Sequence, residues 1–239
     1  MKNEFVSKTL AQIVKENHQA ASVFEKYNMD FCCKGKRSLK QACDENNLPT
    51  ELIVEEVNNL IKQEPPLEVQ FDQLSLSELI DYIVSTHHAF TKRELPLIFA
   101  YLQKVSSKHG DRNPELHAIL ETFSDLKEEM ELHMRKEELI LFPKIKELEK
   151  GLKQSPPIMN IQAPIAVMED DHDHAGRCLE QIRQLSNNYT PPVDVCTTYR
   201  LSFAALQAFE KDLHQHVHLE NNILFPKAIE MYYQTATLN

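Results

Sequence analysis

The stretch from His133 to Pro143 reappears 83 residues later as His216 to Pro226, each copy holding His-x-x-x-Glu followed two residues on by Ile-Leu-Phe-Pro. This duplication constrains the fold more than any other feature of the chain. Residues four apart share one face of a helix, so His133 and Glu137 point the same way, as do His216 and Glu220. Around the first pair, apolar residues recur at spacings of three and four: Ile119, Phe123, Leu126 and Met130 before it, Ile140 after it. Around the second pair the stripe is Leu206, Phe209 and Leu213 before, Ile223 after. Both pairs therefore occupy core positions, and two copies of one helical hairpin packed about a pseudo-two-fold axis account for the repeat.

A buried carboxylate or imidazole without a partner costs several kcal/mol. Two such pairs facing a core demand compensation, and a shared metal site supplies it. The same repeat, at an offset of 84, relates His88 to His172. Each lies on an apolar stripe of its own: Leu76, Ile80, Val84, His88, Leu95 in one helix and Ile165, Met168, His172, Leu179, Ile182 in the other. The candidate ligands are thus His88, His133, Glu137, His172, His216 and Glu220.

If each of two ions takes two imidazoles, one oxygen from each of two bridging carboxylates and an oxo or hydroxo bridge, it has about five ligands and an open position. Structural zinc usually closes at four, often with thiolate. Mixed imidazole and carboxylate with open positions suits a non-haem di-iron centre handling small gases, although copper and zinc could bind in vitro because affinity alone does not select iron. Glu129, one turn before His133, and Asp171, next to His172, are candidates to orient imidazoles by accepting their N–H groups, or else are solvated surface acids. Of the 11 histidines, His87 is the nearest rival to His88, but its repeat partner is Asp171. His174, His214 and His218 are out of phase with their stripes and read as surface; His18, His109 and His117 have no partner spacing.

Only 4 Gly, no Trp, and abundant Leu, Glu, Lys, Gln and Ala favour helix. Breakers at Gly110–Pro114, Gly151–Pro157 and Asn187–Pro192 divide the second part of the chain into four long helices, and such short connections make an up-down four-helix bundle. Ser75 with Glu78 reads as a capping box. Pro96, Pro143 and Pro226 are each expected to kink or end a helix. Upstream, residues 8–27 and 50–62 read as helices, and Gln63-Glu64-Pro65-Pro66 marks a boundary. The expected organisation is a small helical domain over 1–63 and the bundle over 74–236.

The net charge is −10. Residues 1–62 balance nine Lys and Arg against nine Asp and Glu, so the excess lies in the bundle, and a surface of that sign repels phosphate backbones. No run approaches the ~20 apolar residues of a membrane span, nor does the N-terminus carry a signal-peptide core. The expectation is a cytosolic protein with neither nucleic acid nor membrane as partner; a homodimer is compatible with all of this. The 5 cysteines show no disulfide framework. Cys43, Cys178 and Cys196 read as small core or surface residues. On spacing alone the adjacent Cys32 and Cys33 read first as buried cysteines, but Lys34, Lys36 and Arg37 make a locally positive setting that favours thiolate.

Asp30-Phe31-Cys32-Cys33-Lys34-Gly35 in a short helical unit ahead of such a bundle resembles the bacterial repair-of-iron-centres (RIC) family. The resemblance covers nearly the whole chain. Its bundle motifs are His88 within His-His-Ala-Phe-Thr-Lys-Arg-Glu-Leu-Pro, His133-x-x-x-Glu137 with Leu-Phe-Pro, His172-Asp-His-Ala-Gly, and His216-x-x-x-Glu220-Asn-Asn. All six positions of the family's di-iron ligand set are filled. One departure is Lys34, where the family carries Gly, the residue that tolerates positive φ freely. The resemblance implies an all-α, haemerythrin-like bundle behind a small N-terminal helical domain, with Cys32 and Cys33 as redox or transfer thiols. It implies a stress protein that restores iron–sulfur clusters damaged by nitric oxide or oxidants, its partners being those damaged proteins. The leading reading of how it does so, from a carboxylate-rich site beside a paired-thiol unit, is iron donation. The alternatives are nitric oxide reduction or scavenging at the di-iron centre, and reversible oxygen or nitric oxide binding as a sensor, which the lack of an evident output domain disfavours.

Overall fold

The computed structural model describes residues 5–61, 70–151 and 161–236. Four short helices come first: α1 (Leu10–Glu16), α2 (Ala20–Lys26), α3 (Leu39–Glu45) and α4 (Thr50–Ile61). The continuous helix expected over 8–27 is in fact two. At Asn17 the backbone swings to the extended region, and the Asn17 side chain accepts the Gln19 N–H at 3.1 Å, which offers the chain an alternative to continuing the helix. The unforeseen α3 is opened by a capping box of Ser38 and Gln41. Positive φ among the described residues is confined to Asn28, Asn47, Asn187, Asn188, Tyr189 and Gly151, so Lys34 needs no glycine. Gly35 does: a Cβ there would lie 2.1 Å from the Phe31 carbonyl oxygen.

The bundle follows as α5 (Leu76–Ile83), α6 (Ala89–His109), α7 (Glu115–Lys136), α8 (Phe142–Glu149), α9 (Gln162–Leu185), α10 (Thr197–Leu219) and α11 (Phe225–Ala236). Ser75 and Glu78 form the capping box that opens α5. These segments make four long helices because α5 and α6, α7 and α8, and α10 and α11 are joined by π turns at Val84–His88, Glu137–Leu141 and Glu220–Leu224. The helices end at neither Pro143 nor Pro226. Each proline sits second in the α-helical segment after a π turn, so the ladder is already rearranged where its N–H is missing. Pro96 lies inside α6, which runs on through it. The Gln63-Glu64-Pro65-Pro66 boundary and most of the Gly151–Pro157 breaker lie outside the described residues. No described helix is long and apolar enough to cross a membrane.

Two apolar clusters fill the bundle, one on each side of a polar layer. One is built from Leu79, Ile83, Leu141, Phe142, Ile165, Leu224 and Phe225 with their neighbours. The other runs from Leu95, Phe123, Met130, Leu179 and Phe209 without interruption into Leu10, Phe24, Phe31 and Val57 of the small unit. The small unit and the bundle thus share one core. Polar contacts fix the docking: Glu25 accepts from His214 at 2.7 Å, Asn28 from Arg183 at 3.1 Å, and the Cys32 carbonyl from Asn222 at 3.2 Å.

Candidate metal centre

The six histidine and glutamate side chains picked out by the repeat converge in the polar layer, and none is more than 1% exposed. They form two overlapping groups. His88 and His216 share Glu137 and Glu220 on one side; His133 and His172 share the same two carboxylates on the other. All four Nε2 atoms face inward. His88 Nε2 lies 3.2 Å from His216 Nε2, and His172 Nε2 lies 3.0 Å from His133 Nε2. His133 Nε2 and His172 Nε2 stand 3.2 and 3.1 Å from Glu137 Oε2 and Glu220 Oε2.

The opposite ring nitrogens explain this orientation. A carboxylate or amide oxygen can only accept, so an Nδ1 against one carries the proton and leaves its Nε2 lone pair facing the centre. His88 Nδ1 donates to Glu138 Oε1 at 2.7 Å, His172 Nδ1 to Asn221 Oδ1 at 2.8 Å, and His133 Nδ1 to Asp171 Oδ2 at 3.2 Å. Lys136 holds Asp171 in turn, at 2.6 Å. Glu138 and Asn221 each follow a glutamate of the centre, at equivalent points of the 83-residue repeat. Glu129 stands elsewhere: it is half exposed, its carboxylate 3.9 Å from His174.

The repeat breaks at its fourth ring. His87 occupies the position equivalent to Asp171, but it stacks face to face on His216, centroids 5.7 Å apart, and donates to Asp212 at 3.0 Å. His216 Nδ1 consequently has no hydrogen-bond partner. Phe142 stacks on His88 and Phe225 on His172, so aromatic walls close the layer on the side of the apolar cluster that includes Leu79 and Phe225. Toward the small unit a cleft of about 1100 Å³ opens, lined by Phe31, Tyr82, His87 and His218 among others.

A layer of this kind is unstable alone. Both oxygens of Glu137 and one of Glu220 have no aligned donor although fully buried, and four imidazole lone pairs crowd against two carboxylates. Protons or cations must sit between them. Without a cation the protons are held tightly: burial opposes the charge on His88 and His133, yet Glu137 and Glu220 outweigh it and raise them to about 10 and about 9. Glu220 is correspondingly held well below the usual carboxylate range, because His216 and its fellow imidazoles outweigh the cost of its burial. Imidazole nitrogens and carboxylate oxygens converging without donors fit a metal site.

Two readings of histidines need correction. His218, expected at the surface, is 2% exposed, covered by Phe31 of the small unit at 5.7 Å between rings; burial, together with the nearby His18 and Lys15, lowers it to about 3. His214 is likewise largely enclosed, paired with Glu25. Both are out of phase with the bundle's own core because they belong to the interface with the small unit. His174 lies half-exposed at the surface, as expected.

Cys32 and Cys33 lie at that interface, sulfurs 3.7 Å apart, with Cys33 Sγ 3.6 Å from the carbonyl oxygen of His172. At Cys32 the expected thiolate-favouring setting is absent. The Cys33 sulfur, burial and Asp30 all push the Cys32 thiol well above its ordinary range. Lys34 and Lys36 are exposed, and Arg37 is engaged by Glu45 and the Lys34 carbonyl.

Comparison with known proteins agrees with the geometry. Residues 79–228 match the hemerythrin HHE cation binding domain, and residues 6–61 match a domain of unknown function, DUF542. The chain is 36% identical over 220 residues to the iron-sulfur cluster repair protein YtfE of Shigella boydii serotype 4 (strain Sb227), covering 92% of this chain and 96% of that protein. The protein of the same name from Escherichia coli O157:H7 matches to the same extent. That of Enterobacter sp. (strain 638) is 35% identical over 225 residues, covering 94% and 98%.

Proposed function

Because the chain belongs to the hemerythrin HHE cation-binding family, among the iron–sulfur cluster repair proteins, we propose that its buried layer holds two iron ions and serves to restore iron–sulfur clusters damaged by nitric oxide or oxidants. The observation that carries this reading is the sharing of Glu137 and Glu220 between two histidine pairs. His88 and His216 would hold one ion, His133 and His172 the other, with the two carboxylates common to both. Each group offers four donors, fewer than the six that iron commonly takes, so positions remain for small ligands. Bound iron would supply redox chemistry and open coordination sites.

The chain's own residues do the rest. Glu138, Asn221 and Asp171 fix three rings with their lone pairs inward, which sets ring orientation before any ion arrives. Phe142 and Phe225 keep water from two of the rings. Iron donation to a damaged cluster is the use this site supports best. Oxygen and nitrogen donors hold iron less firmly than a thiolate cage, and a paired-thiol unit is docked against the backbone of His172. Cys32 and Cys33 would then assist transfer or redox control.

The test is reactivation of a nitric-oxide-damaged [4Fe–4S] dehydratase by the iron-loaded protein. Recovery by the loaded protein is expected; failure where a ferrous salt alone succeeds ends the donation reading. The open positions also favour a second reading, in which two nitric oxide molecules meet and are reduced at the irons. Many nitrous oxide molecules released per centre, with an electron donor present, would establish that reading; less than one would remove it.

A further inference from the structure

Asp30, Cys32 and Cys33 place one carboxylate and two sulfurs within 4.8 Å of one another, apart from the bundle's six residues. Two of the separations are close to the edges of a coordination tetrahedron. With metal–sulfur bonds of about 2.3 Å, two thiolates on one tetrahedral ion stand about 3.8 Å apart; the two sulfurs here are 3.7 Å apart. A thiolate and a carboxylate oxygen bonded at about 2.3 and 2.0 Å stand about 3.5 Å apart; Cys32 Sγ is 3.3 Å from Asp30 Oδ1, the oxygen held by the backbone, which puts the carboxylate and its other, free oxygen beside the thiols.

The local backbone builds this arrangement in advance. Asp30 Oδ1 accepts the N–H groups of Cys32, Cys33 and Lys34 at 3.1, 3.0 and 3.3 Å. That turn fixes the carboxylate on the thiol pair and leaves its second oxygen unclaimed by these bonds. Gly35 permits the turn's close return onto the Phe31 carbonyl. Asn222 anchors the Cys32 carbonyl from the bundle side. Cys32 is buried while Cys33 is half exposed, so the pair is reachable from solvent on one side only.

We propose that Asp30, Cys32 and Cys33 form a separate site for one thiophilic divalent ion, ferrous iron or zinc, with its fourth coordination position open. Binding replaces the two thiol protons, which leave to solvent, by two metal–sulfur bonds; no electrons are transferred. Three protein donors and an open position characterise sites that exchange a ligand, whereas structural sites close with four. The proposal deepens the transfer role given above to the two cysteines. It rests on that role only for what the ion is used for, not for the existence of the site.

The experiment is titration of the full-length, reduced protein with Co2+ under anaerobic conditions, reading thiolate-to-cobalt charge-transfer absorption in the near ultraviolet. One thiolate-bound cobalt per chain is expected in the wild type. The same band should persist in a Glu137→Gln/Glu220→Gln variant, where the bundle centre is disabled. Cys32→Ser and Cys33→Ser, near-isosteric and checked for folding by circular dichroism, should each abolish or halve the band. Asp30→Asn keeps an oxygen for the backbone N–H groups and should weaken binding more than about ten-fold. Absence of the band in folded wild type, or a band indifferent to both serine variants, would overturn the proposal. A failed iron-donation assay leaves the band untouched, so the two readings fail separately.

Discussion

His88, His133 and His172 each owe their inward lone pair to one outward acceptor, so removing that acceptor should loosen the ring without removing a ligand. Asp171→Ala, Glu138→Ala and Asn221→Ala are each expected to lower metal affinity roughly 10- to 100-fold in competitive titrations. Glu129→Ala should leave affinity unchanged, since its carboxylate lies by His174. Equal losses at Glu129 and Asp171 would contradict this assignment. The same rings set a pH dependence. In metal-free protein His88 and His133 are raised to about 10 and about 9 because the carboxylates outweigh burial. A raised histidine contributes stability that is complete below its unfolded value of about 6.5 and is lost as pH rises through the folded value. The stability of metal-free protein against thermal unfolding should therefore fall between about pH 7 and pH 10. The loaded protein should hold its stability across that window, because ions have replaced the protons; parallel curves would count against it. The six central residues were legible because each sits in phase with an apolar stripe and has a repeat partner. Glu138 and Asn221 were open to the same logic, since each follows a repeated glutamate, but nothing in a helical projection shows residue 138 reaching back to ring 88.

The three π turns are the element-scale device. A π turn accommodates an extra residue within a helix, and here each one begins or ends at a member of the centre: His88, Glu137 and Glu220. At the Glu137 turn the phase of the apolar stripe shifts, whereas at the Glu220 turn Ile223 and Leu224 are both fully buried. After Glu137 the 3.6-residue period calls for Ile140 in the core, yet Ile140 is 51% exposed and Leu141 is 2% exposed. Leu141→Ala should cost about 2–4 kcal/mol in chemical denaturation, while Ile140→Ser should stay within about 0.5 kcal/mol. The reverse order would restore the uninterrupted α-helix. Periodicity alone cannot reveal such a shift, because Ile140 and Leu141 are both apolar and either would satisfy the pattern. Pro143 and Pro226 gave the local signal, as breaks in the ladder that the helix absorbs instead of ending.

At the scale of the whole molecule, the small unit and the bundle close over one apolar cluster, with Phe31 beneath His214 and His218. Sequence patterns gave the two parts but not their docking. His214 and His218 look misplaced on the bundle until a partner surface covers them, and that surface comes from about 190 residues upstream. The docking brings Cys33 against the backbone of His172, so the thiols and the polar layer are neighbours although far apart in the chain. The function proposed for the molecule depends on that layer holding two metals through shared carboxylates. The most direct check is iron quantification with Mössbauer spectroscopy on protein loaded anaerobically with ferrous iron, comparing wild type with Glu137→Gln/Glu220→Gln. Two irons per chain in the bundle, magnetically coupled after oxidation and lost in the double variant, are the expected result. A single uncoupled iron, or iron content unaffected by removing both shared carboxylates, would contradict the account.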